Sequence, residues 1–401
     1  MPGFKVIHDS VHGSVRLDGM FLDILERPEM QRLHGVHQLG LAHLVFPGAN
    51  HTRLEHSLGT YRIAGMMADS LGLDEVDRRQ LLAAALLHDV GHPPFSHTLE
   101  EIILDRMGMD HVDLSKRIIL GEVPLFDESD REVVGDIPPI ASLLEEGGID
   151  PLNVCNLIAT ARNLNDITQE TLPVESGQAH FGTKSYLKQI ISGPVDADQM
   201  DYLLRDAYYT GVAHGTIDLD RLMQTIALHH GDLVVSKGGV VAVEGLLVAR
   251  SLMYTSVYFH KTVRIAEMML CKAVELAPKN LLDGIQTQID CSLFHKLLSA
   301  GGASARITTM LQYRRLYKKA IMIPIAGLSD EQIQHLVLLS DYKKRKAKEQ
   351  EIAEKAGISQ AEVVLDIPEK SLLISEPRIG KTDVGILDGD RVKPLSRYSP
   401  P

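Results

Sequence analysis

The feature that most constrains this chain is an apolar run that ends in a histidine–aspartate pair. The segment reads RRQLLAAALLHDVGHPPFSHTLE, and its first half is apolar enough to predict a buried helix. His88 and Asp89 follow directly, and His92 would share a helix face with His88 if the helix continued that far. Pro93 and Pro94 force the chain out of helical structure. Imidazole and carboxylate groups at the end of a buried helix raise the hypothesis of a metal site.

Two further stretches strengthen that hypothesis. His56 lies in TRLEHSLG on the apolar stripe of a preceding helix, with Arg53 about one turn earlier. Downstream, Asp198, Tyr202 and Asp206 recur every four residues in DADQMDYLLRD, which places them on one continuous helical stripe. A core helix rarely buries two carboxylates unless a cation neutralises them. At this point a structural ion pair with an arginine remains an alternative explanation for Asp198.

Most of the chain has the periodicity of helices. Apolar residues recur at intervals of three and four from FLDILERPEMQRLHGVHQLG onward, and again after residue 240. The opening KVIHDSVHGSVRL instead alternates around His12 and Gly13, which predicts a β-hairpin, and a short strand is expected around residues 233–235. The fold class predicted is therefore mainly α, with an N-terminal β-hairpin and a small α+β region near the C-terminus.

The composition of the chain changes near residue 340, where a charged helix gives way to short strands and turns. We therefore predict a core over residues 1–300 and a C-terminal helical and small α+β region over residues 301–401. Within the core, residues 116–190 are expected to form a surface excursion, because the part reading GEVPLFDESDREVVGDIPPI is acidic and contains proline. The basic run at residues 343–348 is interpreted as a solvated helix face.

Composition excludes several classes of protein. In 401 residues, 44% are hydrophobic and 23% charged, as in ordinary globular proteins. Acidic residues outnumber basic ones by 53 to 41, and the net charge of −12 makes nucleic acid improbable as the main partner, although a local basic pocket stays possible. Three widely spaced cysteines indicate a reducing compartment. We see no signal peptide and no apolar run near the roughly 18–20 residues of a membrane helix, and expect a cytoplasmic protein without a membrane partner.

Together, the motifs HTRLEHSLG, LLHDVGHPPFSHTLE and VDADQMDYLLRD resemble the ordered motifs of the HD-domain phosphohydrolases. The similarity is greatest to the branch of deoxynucleoside-triphosphate triphosphohydrolases, and the flanking segments DSVHGSVRL and VFPGANHTRLEHSLG agree with it. It is dense over residues 4–115 and returns at 193–215 and near 250–264. The resemblance implies an HD-domain helical core.

The resemblance also implies a metal centre and a group of proton-handling side chains. The implied metal ligands are His56, His88, Asp89 and Asp198. A divalent ion is expected there, and manganese, iron, zinc, nickel and magnesium all remain open. The residues implied around the phosphates are His92, His97, His111 and Glu100, the last at a position where the family usually has aspartate.

The resemblance also implies which residues contact the substrate. Gln38 and Asp206 match a pair that binds a deoxyribose 3′-hydroxyl, and Leu39 and Tyr258 match residues that crowd the 2′ position. Phosphate contacts are implied for Arg53, Tyr202 and Arg250. Independently of any family, the spacing of Arg250, Tyr254, Tyr258 and Lys261 predicts one helix face with two cations and two phenols.

Four positions depart from the family pattern. Gln199 stands where a phosphate-binding lysine is common, and Tyr254 replaces a histidine beside the base. His8 and His34 replace residues associated with activation by a nucleotide, so we do not assume such activation.

The leading hypothesis is a metal-dependent hydrolase that converts deoxynucleoside triphosphates to deoxynucleoside and tripolyphosphate. The alternatives are a nucleotide monophosphatase or phosphodiesterase using the same site, and a catalytically silent module that senses nucleotides. The resemblance further implies a homo-oligomer.

Overall fold

The computed structural model describes residues 3–123, 132–135, 137–159, 184–324, 327–367 and 384–398. The chain opens with the predicted hairpin, in which β1 (Phe4–Asp9) pairs antiparallel with β2 (Gly13–Asp18). Gly13 follows the turn with a φ of 72°, a conformation that glycine adopts without steric cost.

Helices make up most of the rest, as the periodicity predicts. The helices of the first half are α1 (Gly19–Leu25), α2 (Pro28–Gln31), α3 (Arg53–Leu71), α4 (Glu75–Leu87), α5 (Ser96–Met107), α6 (His111–Leu120), α7 (Ile140–Glu146), α8 (Pro151–Ile158), α9 (Ser185–Ser192) and α10 (Ala197–Thr210). The helices of the second half are α11 (Leu219–Thr225), α12 (Val240–Met253), α13 (Lys261–Glu275), α14 (Asp290–Ser299), α15 (Gly302–Gln312), α16 (Asp330–Leu338) and α17 (Tyr342–Ala356). Among the described residues the fold is thus mainly α.

Helix α3 is the central helix of the core and packs against both α4 and α10. It begins with a capping box, in which Thr52 and Glu55 satisfy each other's backbone amides, and it ends at Gly72 in the left-handed conformation. Close packing against α10 depends on Gly59, because a Cβ atom there would lie 1.8 Å from a carboxylate oxygen of Asp201. This arrangement brings the middle of α3 and the first half of α10 together at the site described below.

A four-stranded sheet joins the end of the chain to its middle. Strands β3 (Ile226–His229) and β4 (Asp232–Ser236) form a hairpin, which confirms the strand expected around residues 233–235. Strand β5 (Gly385–Asp388) pairs parallel with β4 and antiparallel with β6 (Arg391–Pro394). The strands near the C-terminus therefore complete a sheet begun in the core, and the domain boundary at residue 300 stays a prediction.

The predicted surface excursion at residues 116–190 is described only in part, since residues 124–131, 136 and 160–183 lie outside the described residues. In the described part, α7, α8 and α9 each bury an apolar face in the main core, with Leu144, Val154 and Ile190 fully buried. The three cysteines are free; Cys155 is buried, Cys271 is partly buried and Cys291 is exposed.

One expectation from the sequence needs correction. Among the described residues, the helical stretch Lys237–Tyr258 is long and apolar enough to cross a membrane, with 22 residues and a mean hydropathy of 1.4. Core helices meet the same two criteria, and Leu246 and Met253 on this helix are completely buried in the main core. Length and composition alone therefore do not identify this helix as a membrane span.

A second correction concerns the face predicted to run from Arg250 to Lys261. Helix α12 passes into a π-helical turn at Tyr254–Tyr258, and Phe259 and His260 then break the helix. Lys261 starts the separate helix α13 and is exposed, so it leaves the face that holds Tyr254 and Tyr258.

Candidate metal centre

The His88–Asp89 pair lies at the C-terminus of α4, in a turn rather than in a helix. Helix α4 ends at Leu87 with His88 as its cap, so the helix does not continue far enough for His88 and His92 to share a helical face. The turn after His88 packs tightly on α6, because a Cβ atom on Gly91 would lie 2.2 Å from the backbone nitrogen of Ser115. The side chains of His88 and His92 still face the same cavity, because the turn folds His92 back towards Asp89.

The four side chains implied as metal ligands converge on one point. His56 Nε2 lies 3.2 Å from His88 Nε2 and 2.9 Å from Asp198 Oδ1. Asp89 completes the group, with its Oδ1 at 3.4 Å from His88 Nε2 and its Oδ2 at 3.9 Å from His56 Nε2. Ligand atoms of His56, His88 and Asp198 all lie within 4.8 Å of one another. Helices α3 and α10 and the turn that follows α4 thus each contribute ligands to a common centre.

Both imidazole rings are oriented by hydrogen bonds from the nitrogen that faces away from the centre. His56 Nδ1 donates to Asp201 Oδ2 at 2.6 Å, and His88 Nδ1 donates to the carbonyl oxygen of Ala85 at 2.8 Å. Each bond leaves Nε2 directed at the other ligands. Such outer contacts fix the tautomer and the orientation of histidines that bind metals.

Asp201 was missed by the sequence reasoning, although it is the most heavily bonded carboxylate of the site. Besides His56, it accepts from His12 Nε2 at 2.6 Å and from Arg205 Nε and Nη2, both at 2.9 Å. Arg205 in turn donates to Asp9 Oδ2 at 2.7 Å. Asp201 and Arg205 are completely buried. Burial alone would raise the pKa of Asp201, but Arg205 and the two histidines hold it well below its usual value.

Asp89 connects the centre to the histidines beside it. Arg53 Nη1 donates to Asp89 Oδ2 at 2.6 Å, and His92 Nε2 lies 3.0 Å from Asp89 Oδ1. Burial would raise the pKa of Asp89, but the charges of His88, His92 and Arg53 hold it well below its usual value. Burial and the charge of Arg53 also hold the pKa of His92 well below its usual value.

The other residues that the resemblance implies around the phosphates are His97, Glu100 and His111. The structure places them around His92. The His92 ring stacks on His111 with centroids 4.2 Å apart and meets the His97 ring edge-on at 5.2 Å. His111 Nδ1 lies 3.4 Å from a carboxylate oxygen of Glu100. This cluster lies at the start of α5 and α6, and it can hold and pass protons beside the metal centre.

Asp206 and Tyr258 meet on another wall of the cavity. The Tyr258 hydroxyl donates to Asp206 Oδ2 at 2.5 Å, and His51 Nε2 donates to Asp206 Oδ1 at 2.9 Å. Gln38 Oε1 is buried without a hydrogen-bond partner among the described residues. An unpaired buried acceptor is costly unless a ligand group supplies the missing donor.

The ligands and most of the implied contacts line one cavity of about 440 Å³. Of the residues singled out from the sequence, those on its wall are Gln38, Leu39, Arg53, His56, His88, Asp89, His92, His97, Glu100, His111, Asp198, Tyr202, Asp206, Tyr254 and Tyr258. Arg250 does not lie on this wall; it points to Gln199 Oε1 at 3.3 Å and lies beside the Tyr254 ring. Its phosphate contact therefore stays a prediction.

Two matching family models cover most of the chain. An HD domain matches residues 53–206, and an HD-associated region matches residues 217–400. The chain therefore belongs to the HD-domain phosphohydrolase family, which confirms the resemblance drawn from the three motifs.

Curated relatives share this family relationship along part of their length. An uncharacterised protein of Methanocaldococcus jannaschii is 39% identical over 284 residues, which cover 69% of this chain and 51% of that protein. An uncharacterised protein of Bacillus subtilis is 35% identical over 68% of this chain and 56% of its own length. The deoxynucleoside triphosphate triphosphohydrolase SAMHD1 of Homo sapiens is 26% identical over 79% of this chain and 49% of its own. The chain thus spans about half the length of these relatives.

Solved structures share the fold over nearly the whole chain. A hypothetical protein from Aquifex aeolicus has a TM-score of 0.67 and 27% identity, covering 99% of this chain and 92% of that one. A phosphohydrolase from Bacteroides thetaiotaomicron has a TM-score of 0.66 and 24% identity, covering 99% and 95%.

The donor set suits a divalent transition metal. Two imidazole nitrogens with carboxylate oxygens are ligands that manganese, iron, nickel and zinc accept, whereas magnesium prefers oxygen alone. Asp198 is the most accessible of the four, with 37% of its side chain exposed, so the centre opens towards the cavity on its side.

Proposed function

We propose that this protein is a metal-dependent phosphohydrolase that cleaves deoxynucleoside triphosphates to deoxynucleoside and tripolyphosphate. The observation that carries the proposal is the convergence of His56, His88, Asp89 and Asp198 on a cavity whose wall also holds Gln38 and Asp206. The named triphosphohydrolase among the relatives supports the same substrate class. A cytoplasmic location and a homo-oligomeric state accompany this proposal as predictions.

A divalent ion at this centre would supply a Lewis acid for the α-phosphate and activate a water molecule. The chain itself supplies the positive charge and the protons. Arg53 is fixed by Asp89 and Ser96, so it presents a cationic edge beside the ligands without reorganisation. In the overall reaction, water adds to the α-phosphorus, the bond to the 5′-oxygen breaks, and that oxygen takes up a proton. His111, whose Nδ1 lies 3.4 Å from a carboxylate oxygen of Glu100, lies where it can provide this proton.

The sugar end of the cavity supports a deoxynucleoside. The unpaired Gln38 Oε1 can accept a hydrogen bond from a free 3′-hydroxyl, and Asp206 is held by His51 and Tyr258 on the same cavity wall. A phosphodiester substrate has no free hydroxyl at that position. Leu39 and Tyr258 line the same cavity, and we propose that their side chains crowd the 2′ position of the sugar.

Product analysis tests the proposal. The protein, loaded with Mn²⁺, is incubated with the four deoxynucleoside triphosphates, and the products are separated by chromatography. We expect deoxynucleoside and tripolyphosphate in equal amounts, and no turnover after the metal is removed by a chelator. The double variant His88→Ala with Asp89→Ala should lose both metal and activity. Full metal content in that variant would overturn the ligand assignment.

A nucleotide monophosphatase is the second candidate, and one observation favours it. The Gln199 side chain donates to Asp196 and to the carbonyl oxygen of Gly193, and Arg250 points to Gln199 rather than into the cavity. Fewer cations then face a triphosphate than the family pattern implies. Release of inorganic phosphate from a deoxynucleoside monophosphate, without tripolyphosphate from any triphosphate, would support this candidate.

A further inference from the structure

A second cleft lies between the N-terminal hairpin and helices α3 and α4. Its volume of about 380 Å³ is that of a small-molecule site, and seven charged side chains line it, four of them arginines. None of the four metal ligands lies on its wall. His8 and His34, the positions at which the family pattern has residues for activation by a nucleotide, are not on its wall either. The cleft is therefore distinct from both of those places.

Two of the four arginines already have acidic partners. Arg16 Nε lies 3.4 Å from Asp18 Oδ2, and Arg78 Nε donates to Asp69 Oδ1 at 3.2 Å. The third acidic residue on the wall, Glu75, is exposed and forms no ion pair within the described ranges. Two arginines and one carboxylate of the cleft are thus left unpaired.

Three side chains that donate hydrogen bonds face the cleft without an acceptor. Arg62 on α3 and Arg79 on α4 make no hydrogen bond or ion pair with any described residue. Tyr61 is only 8% exposed and packs edge-on against Phe21, but its hydroxyl has no hydrogen-bond partner in the described part of the chain. Burial and the charge of Asp18 raise the pKa of Tyr61 to about 12, so its hydroxyl keeps the proton at neutral pH. A buried donor of this kind requires an acceptor from outside the protein.

Gly65 keeps one side of the cleft open. It lies inside α3 in an ordinary helical conformation, where glycine is destabilising compared with alanine. Packing does not require it, because a Cβ atom there would meet only Leu82 Cδ2, at an ordinary contact distance of 3.6 Å. Both residues line the cleft, so the missing side chain leaves space within it. Neither the backbone nor the core explains this glycine, whereas a ligand in the cleft does.

We propose that this cleft binds the phosphate group of a small molecule. A guanidinium group donates two parallel N–H bonds to an oxyanion, and a phosphate offers enough oxygens for Arg62, Arg79 and Tyr61 together. The cleft is the local basic pocket that the net charge of −12 leaves possible. The proposal does not depend on the reaction at the metal centre.

Calorimetric titration of the full-length chain tests the proposal, with inorganic phosphate and phenyl phosphate as probes at constant ionic strength. The metal is first removed by a chelator, so that neither probe binds to it or is hydrolysed. Arg62→Gln and Arg79→Gln should each weaken binding by about 10- to 100-fold, the loss expected for one charge-assisted hydrogen bond. The matched control is Arg117→Gln, at an exposed arginine outside both cavities, and its affinity should stay within about twofold of wild type.

Tyr61→Phe separates a role in binding from a role in folding. Because the hydroxyl has no partner in the described protein, its removal should leave the midpoint of urea unfolding unchanged but weaken phosphate binding by about 2- to 10-fold. Gly65→Ala should also weaken binding of phenyl phosphate, since its methyl group would occupy part of the cleft.

The two probes distinguish the sources of the phosphate. Binding of phenyl phosphate at least about tenfold tighter than inorganic phosphate would assign an ester with an apolar body, because Phe21 and Leu82 line the cleft. Similar affinities would assign the free ion. Wild-type affinity in Arg62→Gln, Arg79→Gln and Tyr61→Phe would overturn the proposal, and so would the absence of binding to the wild-type protein at about 10 mM of either probe.

Discussion

The buried carboxylate of Asp201 should control the affinity of the metal centre without binding the metal. In Asp201→Asn, the side chain keeps its size but offers one oxygen and one amide group in place of two oxygens. It can no longer accept from His56, His12 and Arg205 together. Loss of such an orienting partner typically costs about 10- to 100-fold in metal affinity. That range corresponds to about 1.4–2.7 kcal/mol of binding free energy.

A stability loss is expected in the same variant and must be separated from the effect on the metal. Arg205 is completely buried, and removing a charged partner from a buried pair costs about 3–5 kcal/mol. Because Asp9 still pairs with Arg205 at 2.7 Å, we expect the lower end of that range. The matched control is Asp9→Asn, which removes a charge from the same guanidinium group but has no contact with His56.

The assay combines two measurements on both variants. Urea unfolding of the metal-free proteins should show comparable losses of stability. Calorimetric titration with Mn²⁺ should show weakened binding for Asp201→Asn and affinity within about twofold of wild type for Asp9→Asn. Equal metal affinities in the two variants would refute the argument that Asp201 orients His56.

Three further predictions follow from the same geometry. Gly59→Ala should weaken metal binding and cost about 1–3 kcal/mol of stability, because its Cβ would overlap the Asp201 carboxylate. Gly65→Ala on the same helix meets only ordinary contact with Leu82 and should be neutral or stabilising by up to about 1 kcal/mol in the same unfolding assay. Burial would lower the pKa of His56, but Asp198 and Asp201 raise it to about 10 in the metal-free protein. The proton on His56 therefore stabilises the metal-free fold fully below pH 6.5, and that contribution is lost as the pH rises through about 10. Mn²⁺ binding at pH 8 should release about one proton, measured by calorimetry in buffers of different ionisation enthalpy; no release would contradict this. Tyr258→Ala should raise the kcat/KM for GTP relative to dGTP by up to about 100-fold, and an unchanged ratio would show that Tyr258 does not exclude the 2′-hydroxyl.

Local sequence patterns predicted the elements whose signals are local. The hairpin around Gly13 and the stripe of Asp198, Tyr202 and Asp206 follow from periods of two and four residues, and both occur in the structure. The pairing of β4 with β5 could not be foreseen, because it joins residues about 150 positions apart through a register that neither strand specifies alone.

The metal centre shows the same difference between local sequence signals and contacts made over a long distance in the chain. The identities of His56, His88, Asp89 and Asp198 were accessible through motif resemblance, and their convergence supports that assignment. Asp201 is present in the motif DADQMDYLLRD, but nothing in the neighbouring sequence distinguishes it from a surface carboxylate. Its role depends on His12, which is 189 residues away in the chain.

The contacts of Asp201 also explain why the first residues of the chain matter to a site built on α3, α4 and α10. Asp9 and His12 come from the N-terminal hairpin: His12 donates directly to Asp201, and Asp9 accepts from Arg205, which also donates to Asp201. A buried ionic group of this kind adds little net stability compared with apolar packing, because desolvation offsets most of the Coulomb attraction. Its benefit here is orientation, since the charge of Asp201 holds one ring of the centre in a single tautomer. The hairpin therefore stabilises the orientation of a metal ligand. Displacing it should increase the mobility of the His56 ring before the helical core unfolds.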